Sequence, residues 1–483
     1  MRNTLWKNAL VFGIILLLLR TNVVSGYDTN SLDTPSSMDR GWLYVGGTGP
    51  GNYTMIQDAI DNASDDDTIF VYEGTYHENI VISKKGLFLK GENKFTTRLD
   101  IENSTGDAVF ISANDITFEG FTVTNARCKD EYIWNQSGIV ISSSNVTIKD
   151  NIISNNQWGL VSYVTASNLT ICDNMFFYDG FLPGCYIIWS NGYYNCTDNI
   201  PLESVLLNVY NNTVNSKPLY YYKNIHDTIV NPDAGQVILV NCTNITVRDL
   251  SLINIDFSVM LYYCSNCTVE NSTIKNADGE LILFFSENNT IQHNTIVNAF
   301  HGVCLDIGSK NNNICYNTIQ ENLQGISVLT GCTGNSIYQN EFNKNSYAME
   351  ITSYIQNIPS HDNYIYENSF YKNTYGMVIS FKFNDPLCYT INNTISNNIF
   401  LKNGWGIFIK RSEGNVVKNN TFKGNILSAY FCSCSQNVWD DNYWGRSRMF
   451  PKLIFGYKLL NDKIPIPWIN IDKHPAQEPY EIP

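Results

Sequence analysis

Charge is scarce in this 483-residue chain. Only 16% of residues are charged, and 45 acidic side chains against 31 basic ones leave a formal net charge of −14. That balance argues against nucleic acid and against an anionic lipid surface as partners of the chain as a whole. Histidine is scarcer still. His77, His226, His293, His301, His361 and His474 are scattered without a His-x-His pair, and the eight methionines form no Met-rich tract. The imidazole and thioether clusters that hold copper are therefore not visible. Cys264 and Cys267 make a lone CxxC without the second pair that a zinc site shows. No cofactor is required by any pattern, and neither calcium nor copper has one in its favour.

Helical periodicity is also nearly absent, as are long apolar runs. The only such run, Ala9 to Leu19, follows Arg2 and Lys7 and precedes the small residues Ser25 and Gly26. It is shorter than the roughly 20 residues of a membrane span, so residues 1–26 read as a secretory signal, with a retained anchor as the alternative, and the mature chain as secreted or displayed at the cell surface with no membrane span after cleavage. Thirteen cysteines in an exported chain leave at least one unpaired. Cys185 and Cys196, in one loop-like stretch, are the expected bridge, while the others suit small apolar core positions.

What the chain has in abundance is asparagine at fixed intervals. Asn114/Glu119, Asn145/Asp150, Asn168/Asp173, Asn244/Asp249, Asn266/Asn271 and Asn289/Asn294 are pairs five residues apart. Asn312/Asn317, Asn335/Asn340, Asn363/Asn368, Asn393/Asn398, Asn415/Asn420 and Asn437/Asn442 continue the series. From Asn244 onward most steps are 22 or 23 residues, and the two longer ones contain the loop-like "SYIQNIPSHD" and "FKFNDPLCYT". Each repeat holds three short alternating runs broken by Asn or Gly, as in "NICYNTI", "ENLQG" and "ISVLTG". Three short strands per turn of about 22 residues describe an all-β fold, a parallel β-helix of about a dozen coils. Equivalent asparagines would then lie one strand spacing apart, left-handed at a bend, each amide donating to the next.

The ends of such a solenoid need covers. The β-helix is expected over 27–442. At its front, residues 52–64 form an amphipathic capping helix, with a Thr54–Gln57 capping box and Ile56, Ala59, Ile60 and Ala63 on one face. At its rear, the aromatic and proline-rich tail 443–483 is expected to lie extended over the last coil as an irregular cap. Between 179 and 240 the ladder is interrupted by an aromatic insertion, in which Trp189, Tyr193, Tyr194, Tyr220, Tyr221 and Tyr222 are candidates to stack on sugar rings.

The front segment "IQDAIDNASDDDTIFVYEGTYHENIVISKKGLFLKGEN" resembles the opening of pectin-lyase-like β-helices, including pectin methylesterases. The repeats, the block "NNTVNSKPLYYYKN…GQVILVNCTNITV" and the tail "NYWGR…IPWINIDKHPAQEPY" resemble NosD-type β-helix proteins of archaea. That resemblance implies that the parallel β-helix is right-handed, and it implies export, carbohydrate binding or processing, and a copper association. "GTYHE" matches one methylesterase motif, but the aspartate-bearing and arginine-tryptophan motifs have no counterpart, and "FHGVCLD" is a faint echo of a polygalacturonase. The remaining catalytic candidates are Asp306 and Glu350, expected to point outward on one sheet, two coils apart, bordered by His301 and Lys410. Among the Asn-x-Ser/Thr sequons, Asn52, Asn103 and Asn135 lie outside the ladder and are the candidate glycosylation sites. The expected function is glycan binding at the cell surface without catalysis, with a polysaccharide lyase, hydrolase or epimerase as the alternative and copper handling as a third.

Overall fold

The computed structural model describes residues 41–102, 104–127, 136–185, 187–190, 193–196, 199–277, 279, 281–379, 390–460 and 464–482, with only the backbone described for 187–190, 193–196 and 460. The chain between Gly41 and Pro483 is one compact unit.

It is a parallel β-helix. Strands of about three to six residues turn three corners per coil, and each pairs in parallel with its equivalent one coil later, which builds three long faces. The coil that starts at Asn312 shows the plan: Asn313–Cys315 lies on the first face, Thr318–Gln320 on the second and Gln324–Val328 on the third. Alternation sends the middle residue of each short strand inward. Ile291, Ile314, Ile337, Ile365, Ile395 and Val417 therefore line up inside the first face. Phe342, Phe370, Phe400 and Phe422 do the same on the second, with ring centroids 4.7, 4.6 and 4.9 Å apart, and Trp444 ends the stack at 4.7 Å. In-register identity lets flat rings lie on one another with almost no tilt, which adds to their burial.

The corners explain the asparagines, with a correction. Left-handed asparagines do bond amide to amide in short exposed runs, Asn168 to Asn145 (2.7 Å) and Asn298 to Asn276 to Asn254 (2.9 and 3.0 Å), but in the long buried ladders the amide and the left-handed bend belong to two adjacent residues. In the Asn312 coil the left-handed residues are Asn311, Tyr316 and Glu321, while Asn312, Asn317 and Asn322 follow them and are buried. Each buried asparagine donates its backbone N–H and its Nδ2 to the Oδ1 of the next: Asn312 to Asn335 at 2.9 and 3.0 Å, Asn317 to Asn340 at 3.0 and 2.9 Å, Asn322 to Asn345 at 2.9 and 3.0 Å. The third of these ladders, running Asn322, Asn345, Asn373, Asn403 and Asn425, has no place in the paired series read from the sequence. That series also slips by one residue: Asn145, Asn168, Asn244 and Asn266 occupy left-handed, exposed positions, whereas Asn289 onward occupy the buried one. Cys267, whose N–H donates to Asn289 Oδ1 (2.8 Å), is the true counterpart of Asn289.

A fourth corner column accounts for several cysteines. Cys264 N–H donates to Ser286 Oγ (3.0 Å) and Ser286 N–H to Ser309 Oγ (3.3 Å), and Cys242, Cys332 and Cys434 occupy the same place in other coils. A thiol there is a small side chain standing where serine stands elsewhere. Cys185 is buried, and the side chain of its expected partner Cys196 lies outside the described residues.

Two end structures differ from expectation. The helix spans Ile56–Asn62 and buries Ile56, Ala59 and Ile60, but the Thr54–Gln57 capping box does not form. Glu78 reaches over instead, accepting the N–H of Ile56 on Oε1 (2.8 Å) and of Gln57 on Oε2 (2.9 Å). A carboxylate from the loop between the strands Gly74–Tyr76 and Ile80–Ile82 meets two open N–H groups at the positive helix end, which a local threonine cannot match. The tail is an irregular cover only at its end, where Ala476 N–H donates to Asn442 O (3.1 Å) and Tyr480 N–H to Thr421 Oγ1 (2.7 Å). Lys452–Leu460 and Ile464–Asp472 form an antiparallel ribbon, joined to the solenoid at Phe431–Gly456 and Cys432–Tyr457. Pro465 and Pro467 fit because Ile464–Asp472 has a partner on one edge only. At its end Asp472 terminates the second ladder, its Oδ2 accepting from Asn442 N–H (3.1 Å), Asn442 Nδ2 (3.2 Å) and Trp444 Nε1 (2.8 Å). An acceptor is what the last rung of donors lacks.

Candidate functional site on the third face

The insertion begins where Phe181–Cys185 leaves the third face, and the chain regains its coil at Asn208–Tyr210, which pairs with Thr170–Cys172. A hairpin, Ile187–Ser190 with Tyr193–Cys196, places the backbone of Trp189 opposite Tyr194 and Ser190 opposite Tyr193; their side chains lie outside the described residues. The strand before the hairpin and loop residues beyond it are tied down on the outer side of the third face. Tyr262 Oη donates to Pro183 O (2.7 Å), and Tyr263 Oη and Tyr221 Oη bond to Ile200 O and Val205 O. Tyr221, one of the candidates for sugar contact, anchors this loop: its hydroxyl also accepts Leu207 N–H (3.1 Å), and burial pushes its pKa up. Tyr220 and Tyr222 stack at 5.8 Å and stay half-exposed. Tyr220 donates to Asp233 (2.7 Å), and that bond lifts its pKa to about 12.

Beyond the insertion, strand register assembles two rows on the third face. One row is His301, Gln324, Tyr347, Tyr375 and Trp405; the next is Cys304, Ser327, Glu350, Val378, Phe408 and Tyr430. Asp306 and Glu350 do lie on this face, two coils apart, but Asp306 falls two residues further along its strand than the counterpart of Glu350. Both are buried, at 1% and 4% exposure, so the expected outward carboxylate pair is not presented to solvent. Glu350 Oε2 accepts from Gln324 Nε2 (3.3 Å), and Gln324 Oε1 accepts from Ser327 Oγ (3.3 Å). Ile307 N–H donates to Asp306 Oδ1 (2.8 Å). The strand spacing that brings the two acids to one face was legible in the sequence; their burial was not.

The sequence reading missed the aromatics beside them. Tyr347 and Tyr375 stack at 4.9 Å, and Trp405 follows at 5.7 Å. Phe408 and Tyr430 meet Trp405 edge-on, each at 5.6 Å. All five are half-exposed. Within the stack the ring faces cover one another, so solvent meets ring edges and phenol hydroxyls along Tyr347 and Tyr375 and turned rings around Trp405. Burial, then Tyr375 and Glu350, raises the Tyr347 pKa, so its hydroxyl remains a donor. The signal was present as an aromatic residue before a small one in successive repeats, Tyr347-Ala348, Tyr375-Gly376 and Trp405-Gly406.

Of the glycosylation candidates, Asn52 is half-buried and its Nδ2 donates to Gly46 O (2.6 Å); Asn103 and Asn135 lie outside the described residues. Metal donors do not converge: among the described residues no three His, Cys, Asp or Glu side chains form a group that could hold an ion. His226, His361 and His474 each pair with a carboxylate instead, at 2.7, 2.8 and 2.9 Å. These residues do not fit a copper site.

Fold and corner ladders together place the chain among the parallel β-helix proteins. It belongs to the NosD family: the family model described as periplasmic copper-binding protein (NosD) matches residues 60–181 and 184–379, more than half of the chain. No curated protein matches it. Solved structures similar to it include a mutant of the periplasmic alginate epimerase AlgG, 11% identical, with 79% of this chain and 71% of that one covered and a TM-score of 0.33. DFA-IIIase from Arthrobacter chlorophenolicus is 12% identical, over 81% of this chain and 88% of that one, with a TM-score of 0.34. An alginate lyase from a Paenibacillus species is 14% identical, over 61% and 95%, with a TM-score of 0.28. Similarity this low carries no argument about activity. No described helix is long and apolar enough to cross a membrane.

Proposed function

We propose that this protein is an exported β-helix that holds a polysaccharide or envelope glycan along the outer surface of its third face, without acting on it chemically. The observation that carries the reading is the half-exposed row Tyr347, Tyr375 and Trp405, widened by Phe408 and Tyr430 and repeated coil after coil. A polymer of rings laid along the axis would meet apolar ring edges and phenol donors at a regular spacing, and that suits pyranose rings with one apolar side and a rim of hydroxyls. The burial of Asp306 and Glu350 weighs against catalysis, because a general acid must reach the glycosidic oxygen. Export agrees with the apolar segment at 9–19 and with the word periplasmic in the family's description. Copper handling rests on that description alone and has no donor set in its support.

A glycan array probed with residues 27–483 tests the reading, since every described strand lies within this span. Retention of a polysaccharide that falls about tenfold in Trp405→Ala and in Tyr375→Ala, with unchanged melting, is expected. Retention indifferent to both substitutions would remove this face as the site. Release of reducing ends, release of unsaturated ends, or inversion of a sugar carbon without cleavage, stopped in Asp306→Asn or Glu350→Gln, would overturn the non-catalytic reading in favour of a hydrolase, a lyase or an epimerase respectively.

A further inference from the structure

The ribbon Lys452–Leu460/Ile464–Asp472 is apolar on both sides. Register places Leu453, Phe455 and Leu459 beside Ile471, Ile469 and Pro465 on one side. Leu453, Phe455, Ile469 and Ile471 are 42, 59, 46 and 45% exposed. On the other side Ile464, Ile466 and Trp468 are also exposed, with Lys458 Nζ 4.1 Å from the Trp468 ring centroid. Met449 and Phe450, just before the ribbon, are 93 and 78% exposed. Apolar surface of this extent marks a contact with a partner or a membrane.

Charge identifies which. The chain carries a net −14, yet five cations, Arg446, Arg448, Lys452, Lys458 and Lys473, gather here; Asp472 is fully buried on the ladder, and they outnumber the exposed acids Asp441 and Glu478 that line one cavity with Arg448 and Lys473. The cations are crowded enough that, after burial, Arg448 and Arg446 lower the pKa of Lys452. A second copy of the chain is the poorer occupant: the open edge carries Pro465 and Pro467, which offer no N–H to an added strand, and one protein surface would cover only one side of the ribbon. A fluid interface covers both. We propose that this ribbon attaches the protein peripherally to a membrane surface bearing anionic lipid, its apolar side chains entering the headgroup boundary while the five cations meet lipid phosphate.

The test is vesicle co-sedimentation of residues 27–483, which omits the apolar run at 9–19 and retains the compact unit Gly41–Pro483. Vesicles of phosphatidylcholine with phosphatidylglycerol should bind about tenfold more tightly than phosphatidylcholine alone, and added salt should erase the difference. Phe455→Ser with Ile469→Ser should weaken binding to the anionic vesicles about tenfold at unchanged melting temperature, since both side chains are exposed. Arg448→Gln with Lys452→Gln should remove the preference for anionic lipid. No vesicle binding by the unmodified chain, equal binding by the serine variant, or a dimer in sedimentation that the serine variant abolishes would each overturn the proposal.

Discussion

Asn340 is the sharpest place to test the corner ladders. Its Oδ1 accepts from Asn317 N–H (3.0 Å) and Asn317 Nδ2 (2.9 Å), and its Nδ2 donates to Ile314 O (2.8 Å), Tyr338 O (3.0 Å) and Asn368 Oδ1 (3.0 Å). Alanine removes all five bonds at a residue only 1% exposed. Asn317 Nδ2 keeps Ile291 O and Cys315 O, but the Asn317 backbone N–H loses its acceptor. One buried unpaired N–H costs about 1–3 kcal/mol, and the lost carboxamide bonds add roughly 0.5–1.5 kcal/mol each before water enters the gap. A loss of about 3–4 kcal/mol is expected for Asn340→Ala. Asn340→Asp should be at least as damaging, because it turns an oxygen toward the acceptors Ile314 O, Tyr338 O and Asn368 Oδ1. At the ladder's end the order reverses: Asp472→Asn keeps an acceptor for Asn442 and Trp444 and should cost only about 1 kcal/mol. Urea unfolding followed by circular dichroism reads all three, with Lys310→Ala, which breaks an exposed pair with Glu287, as the reference near zero. An Asn340→Ala midpoint within error of Lys310→Ala would refute the claim that the ladder stabilises the coils.

Two further outcomes follow from the front of the solenoid. Glu78→Ala should cost about 1–2 kcal/mol and speed amide exchange over Ile56–Asn62, whereas Glu78→Gln should lose about half as much; equal exchange in all three proteins would show that the helix end does not need the cap. Burial raises the pKa of Asp107 above the ordinary carboxylate value, against the lowering effect of the Ser137 hydrogen bonds. Its folded-state pKa therefore exceeds the unfolded one, so its contribution is complete below the unfolded value and is lost as pH rises through the folded value. Asp107→Asn should match the parent under acid conditions and exceed it by up to about 1 kcal/mol at neutral pH; a variant less stable than the parent at neutral pH would contradict the sign.

The repeat was readable because identical side chains recur at one spacing, and Asn312, Asn335 and Asn363 stand in one column as that spacing requires. The one-residue slip at Asn266 arose because two adjacent corner positions both favour asparagine, one for its left-handed backbone and one for its carboxamide, as in Asn288-Asn289 and Asn311-Asn312. Glu78 as the helix cap and Asp472 as the ladder's terminator could not be read from spacing, since each acts on a segment far away in sequence. The aromatic row was missed for a different reason. Its members stand singly in the sequence, and only strand register gathers them into a surface.

By itself the sequence determined the coil: its length, its three strands, and which residues point inward, because these are local consequences of alternation and turn chemistry. The tertiary structure decided which outward positions remain open. Asp306 and Glu350 share a face with Tyr375 and Trp405, yet the acids are buried and the rings are not. Coverage of an outer face is set by what folds back over it, and a repeat carries no record of that.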